Sequence, residues 1–131
     1  MEHWTEVYKN GLILGRQDFA EPKVITAFAF LHDCMRTHDG PCEDHGPLAA
    51  EFINTFKPDD LGLNPSQWEV LKMACRDHTI GIVSNHPTIG ACWDADRLDI
   101  MRCGMLPIPD LMSTPIGIIL ANKITKYGIR R

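Results

Sequence analysis

The chain has 131 residues, 44% of them apolar, with 13 basic and 17 acidic side chains and a formal charge of −4. That length and composition fit one compact domain with its own core and exclude disordered and fibrous classes. No basic tract follows a phosphate backbone, so long nucleic acids are not expected as partners, whereas a local pocket for a small phosphate is compatible.

No apolar run reaches the roughly 18 residues that a membrane span needs. "PIGIILA" (Pro115 to Ala121) is too short. The opening "MEHWTEVYKNG" lacks the charged and apolar segments of a secretory leader. Five cysteines, none in a CxxC pair, read as reduced and mostly inert thiols of a cytoplasmic protein.

The chain reads as short helices punctuated by Pro, Gly and Asn. Trp4, Val7, Tyr8, Leu12 and Leu14 outline a first helix ending near Gly15. Pro22 opens a second, in which Val24, Ile25, Phe28, Leu31 and Met35 recur at three and four residues, predicting a helix to about Arg36. "THDGPCEDHG" is a loop, with Asp39 beside His38 bonding its own backbone in a turn. Pro47 suits the first turn of a third helix, whose apolar stripe is Leu48, Ala49, Phe52, Ile53 and Phe56. Asn64-Pro65-Ser66-Gln67 combines a cap, a first-turn proline and a capping-box glutamine, and predicts a fourth helix to about His78. His86 precedes Pro87 as an exposed residue, and Pro87 opens a fifth helix that Gly104 stops. Ser113-Thr114-Pro115 starts the last. With no alternating pair of runs around a tight turn, the fold class is all-α, a helical bundle of about six helices.

Chemistry concentrates in "LHDCMRTHDGPCEDH" (Leu31 to His45). His32 and Asp33 follow the apolar run "AFAFL", which brings a His-Asp pair close to the core. Adjacent helical residues point about 100° apart, so the two share a centre only at a seam between helices. A hydrogen-bonded helix-end pair is the ordinary explanation. His3 on the first helix, His45 past the loop, His78 ending the fourth helix and "WDADRLD" on the fifth widen the set. Each of these stands on or beside a different predicted helix, which is how a bundle assembles an internal site. Nitrogen and oxygen ligands without thiolate suit a divalent transition metal such as Mn, Fe, Ni, Co or Zn. Trp4, Trp68 and Trp93 are expected as core anchors. Trp93, next to Asp94, is the one best placed to border a pocket.

"HWTEV" (His3), "FLHDCMR" (His32, Asp33), "DHGPLAA" (His45), "CRDHT" (His78) and "DADRLD", in that order, resemble the HD superfamily of metal-dependent phosphohydrolases. The resemblance covers roughly Met1 to Leu111 and is nearest to small stand-alone bacterial HD-domain proteins. It implies a single HD domain over 1–131, with a metal-site core to about 111 and a terminal helix at about 113–126. It also implies that His3, His32, Asp33 and Asp96 hold a first ion. Asp94 is the competing late ligand and otherwise orients or caps. His45 and His78 then bind a second ion or face substrate phosphate. The implied reaction is hydrolysis of a nucleotide or other small phosphate ester by a metal-activated water. Asp33 would bridge the metals or hold that water. Arg36 and Arg97 would clamp phosphate, and Asp77 would orient His78 or accept a proton. A di-iron oxygenase on the same fold and a non-enzymatic sensor of metal and nucleotide are the alternatives.

Overall fold

A computed structural model describes residues 2–36 and 44–127. It is all-helical, with no strand among the described residues. The helices are α1 (His3–Leu14), α2 (Pro22–Leu31), α3 (His45–Ile53), α4 (Pro65–Asp77), α5 (Pro87–Arg97) and α6 (Pro115–Tyr127), with short 3₁₀ turns at Pro58–Leu61, Ile100–Cys103 and Pro109–Leu111. The turn expected around His38 and Asp39 lies outside the described residues.

Helix starts follow local chemistry. Proline stands in the first turn of α2, α4 and α5, where a missing N–H costs nothing and the fixed φ already suits the helix. The capping box of α4 closes reciprocally: the Gln67 amide donates to Asn64 Oδ1 at 2.8 Å and the Asn64 amide to Gln67 Oε1 at 2.9 Å. His86, expected as a bystander, caps α5 through Nδ1, which accepts from the Thr88 and Ile89 amides at 3.2 and 3.3 Å.

Helix ends depart from the apolar pattern. α2 stops at Leu31 and not near Arg36. The Phe28 carbonyl accepts from both the amide and the Nδ1–H of His32, and the following amides bond three residues back. α3 begins at His45, with Pro47 in its first turn, and stops at Ile53 before Phe56. There the Thr55 hydroxyl takes the Phe52 carbonyl at 2.6 Å and competes with the helical ladder. α5 ends at Arg97, and a separate 3₁₀ turn runs to Gly104, whose φ of 80° ends it as expected.

α5 is the central helix, with Thr88 through Ala95 all buried. It packs against α1, α2 and α4, while α3 pairs with α4 and α1 with α2. In α1 the buried stripe is Val7, Gly11 and Leu14. Leu12, read as part of it, is half exposed. A Cβ at Gly11 would lie 2.7 Å from Ile25 Cγ2, so glycine sets the closeness of α1 and α2. Of the three tryptophans, Trp93 alone is a buried anchor, its indole N–H donating to the Ala74 carbonyl at 2.9 Å. Trp4 stands at the surface against Phe30, and Trp68 is half-buried under the Lys72 ammonium.

Asp94 ties α6 to this centre. Its fully buried carboxylate accepts from the Ser113 amide at 2.7 Å, the Thr114 amide at 2.8 Å and the Thr114 hydroxyl at 2.7 Å. Burial pushes its pKa up, against the opposing pull of those bonds. Asp94→Ala leaves these donors unpaired and is expected to cost about 2–4 kcal/mol. Urea denaturation of the variant measures this, and a loss below about 0.5 kcal/mol would contradict the anchoring role.

Candidate metal centre

Three helix ends deliver four side chains to one point. His3 is the first residue of α1, His32 follows the last residue of α2 with Asp33 beyond it, and Asp96 is the penultimate residue of α5. His3 Nε2 lies 2.8 Å from Asp96 Oδ1 and 3.3 Å from His32 Nε2, and His32 Nε2 lies 3.3 Å from Asp96 Oδ1. Asp33 Oδ2 completes the group at 3.6 and 3.7 Å from the two imidazole nitrogens. Donors at bond lengths near 2.1 Å around one ion stand about 3.0 Å apart in octahedral and about 3.4 Å apart in tetrahedral geometry. The observed spacings straddle both values.

The tautomers decide what these atoms offer. Nδ1 of His32 bonds the Phe28 carbonyl at 2.9 Å and Nδ1 of His3 bonds Asp99 Oδ2 at 2.8 Å. A carbonyl and a carboxylate are acceptors, so each Nδ1 carries the proton and a neutral ring presents a lone pair at Nε2. Two such lone pairs then face each other and two carboxylates. An assembly of acceptors this close requires positive charge among them, from protons or from a cation.

A second group lies on the other side of Asp33. Its Oδ1 stands 3.0 Å from His45 Nε2 and 3.6 Å from His78 Nε2, and the two nitrogens are 2.9 Å apart. Nδ1 of His78 bonds the Cys75 carbonyl at 2.7 Å, which again turns Nε2 inward as a lone pair in the neutral ring. His45 opens α3 and His78 follows the last residue of α4. Gly46 lets these ends meet: a Cβ there would lie 2.6 Å from the Arg76 carbonyl oxygen and 2.9 Å from that of Cys75. Phe28 forms the floor, stacked on His32 at 4.6 Å between ring centres and edge-on to His78 at 5.8 Å.

Charge follows this geometry. Burial alone would raise the pKa of Asp33, but hydrogen bonds from His45 and His78 and the charge of His32 hold it well below the ordinary carboxylate range. Asp96 is likewise driven up by burial and held well below that range by the charge of His32 and hydrogen bonds from His3 and His32. Both carboxylates are therefore ionised wherever positive charge sits among the rings.

Six of the sequence-selected residues meet here: His3, His32, Asp33, His45, His78 and Asp96. The other four take different places. Asp94 anchors Ser113 and Thr114, the residues that lead into α6, and does not back the clustered histidines. Asp77 does not orient His78, a task the Cys75 carbonyl performs. Its carboxylate instead takes a two-point bond from Arg76 at 2.8 and 2.9 Å, which lowers its pKa. Arg97 is turned to backbone, its Nη1 donating to the carbonyls of Ile82 and Leu111 and its guanidinium lying over Trp93. Arg36 is half-buried, its amide bonded to the Asp33 carbonyl at 3.0 Å. His38 lies outside the described residues. The overlooked participant is Asp99, 2% exposed and in contact with His3. The signal was its place three residues after Asp96 in "DADRLD", one helical turn further along the same face.

Gly46→Ala drives a methyl group into two backbone carbonyls. It is expected to cost about 1–3 kcal/mol and to part His45 from His78. Thermal unfolding reads the first effect and a crystal structure of the variant the second. Unchanged stability with His45 and His78 still adjacent would show that the contact is not tight.

No family model matches the chain, and neither a curated protein nor a solved structure matches it, which leaves these side chains as the ground for assigning a function.

Proposed function

We propose that the chain is a metal-dependent phosphohydrolase of the HD type, acting on a nucleotide or another small phosphate ester. The observation that carries this is the Asp33 carboxylate, whose Oδ2 addresses His3 and His32 beside Asp96 and whose Oδ1 addresses His45 and His78. His3, His32 and Asp96 would hold one ion and His45 and His78 a second, with Asp33 shared by the two sets. A divalent transition metal bound there supplies Lewis acidity toward a phosphate oxygen and a water of lowered pKa. Mn, Fe, Ni, Co and Zn all suit this donor set.

The chain's own residues do the rest. Asp33 sets the distance between the two halves and is placed to accept a hydrogen bond from a water between them. His32, His45 and His78 are buried, while the side chains of Asp33, Asp96 and His3 keep 22%, 18% and 14% of their surface exposed. A phosphate therefore approaches over the carboxylate edge. Arg36, three residues past Asp33, is the arginine proposed to meet it, because Arg97 is bonded to backbone. No helix among the described residues is long and apolar enough to cross a membrane.

One feature favours a second reading, a di-iron oxygenase. Each half offers two imidazoles and a carboxylate (His3, His32, Asp96; His45, His78, Asp33), the composition with which non-haem iron enzymes bind oxygen-reactive iron. Oxygen consumption with the iron-loaded protein would favour it, and phosphate release without oxygen would exclude it as the main activity.

Metal analysis of the purified protein, with a phosphate-release screen over nucleotides and phosphomonoesters, tests the proposal. Up to two ions per chain are expected. His78→Ala should lose one, and His32→Ala and Asp33→Ala should lose metal and more than about 100-fold in rate, beyond the cost of an outer contact. A metal-free wild type, or variants that keep full activity, would refute it.

A further inference from the structure

We infer that Asp99 is a positioning residue: through Nδ1 of His3 it fixes the tautomer and the angle at which His3 meets the ion shared with His32 and Asp96. The inference rests on the metal centre proposed above.

The need for such a residue comes from where His3 stands in its helix. His32 and His78 are oriented by their own helices, each ring donating from Nδ1 to a carbonyl four or three residues back, Phe28 and Cys75. His3 is the first residue of α1, so no helical turn precedes it to present such a carbonyl. The α1 start also lacks a side-chain cap, since Glu2 makes no capping bond. An uncapped first turn frays readily, and fraying would carry the ligand away. The acceptor must come from another part of the chain.

Asp99 fills that role from 96 residues away, with Oδ2 at 2.8 Å from Nδ1. Its side chain is 2% exposed, so solvent competes little for the bond. Its amide bonds the Asp96 carbonyl at 3.2 Å. The acid that ligates and the acid that orients therefore belong to one turn, and each takes one nitrogen of the same ring. A carboxylate on Nδ1–H also makes Nε2 a stronger donor.

Zinc titration by calorimetry of wild type, Asp99→Ala and Asp99→Asn tests this, together with ¹⁵N-histidine spectra of the zinc-loaded wild type. Asp99→Ala should weaken the first binding step by about 10–100-fold. Asp99→Asn keeps an oxygen for Nδ1–H and should recover most of that loss. The wild-type spectrum should show His3 protonated at Nδ1 and metal-bound at Nε2. Unchanged affinity in Asp99→Ala, equal weakening in both variants, or a His3 protonated at Nε2 overturns the inference. A wild type that takes up no zinc refutes the metal centre itself. Should Asp99→Ala fail to fold, the wild-type spectrum and the Asp99→Asn titration still decide.

Discussion

Hydrogen-bond acceptors held against one another organise this molecule. Neighbouring Nε2 atoms of four histidines and the oxygens of Asp33 and Asp96 lie 2.8 to 3.7 Å apart. Three of the rings have Nδ1 bonded to an acceptor, so in the neutral state their inward nitrogens have no proton to share. Such a cluster is stable only with positive charge inside it. The bundle makes the confrontation possible because helix ends bring their side chains to it. The starts of α1 and α3 and the finishes of α2, α4 and α5 all meet there.

The helix ends also explain how these side chains are aimed. A histidine at a C-terminal end has carbonyls with a lone pair to spare within reach one turn back, and His32 and His78 use them. A histidine at an N-terminal end has no such resource. His45 instead depends on the close seat of α3 on α4 that Gly46 allows. His3 depends on a carboxylate just past the C-terminal end of α5. Beneath the cluster Phe28 contributes its carbonyl to one imidazole and its ring to two, so the hydrophobic core and the polar site share a residue.

The six residues at the centre were legible because the types capable of binding metal recur in an order that spreads them on or beside five predicted helices, with His32 and Asp33 adjacent on the second. What misled was adjacency. Asp77 beside His78 and Arg97 beside Asp96 looked like partners of the site, yet neighbours on a helix point about 100° apart. Arg97 thus turns to the carbonyls of Ile82 and Leu111, while Asp77 is taken by its other neighbour, Arg76, whose long side chain bridges that angle. Asp94 and Asp96 are likewise on different faces, which sends one to α6 and the other to the histidines. Asp99 escaped notice because an aspartate in a turn has many ordinary uses, and its partner stands at the opposite end of the chain.

Sequence alone determined the helical class, most helix starts and the metal-capable residue types, since these depend on local periodicity, caps and ligand chemistry. Helix ends at Leu31, Ile53 and Arg97 were settled by the tertiary structure, where side chains compete with the helical ladder or turn toward another helix. Only the packing decided which nitrogen of each histidine faces inward and which acid it meets. It also gave one carboxylate, Asp33, two sets of partners. Those relations join residues up to 96 positions apart, and they exist only once the helices have closed on one another.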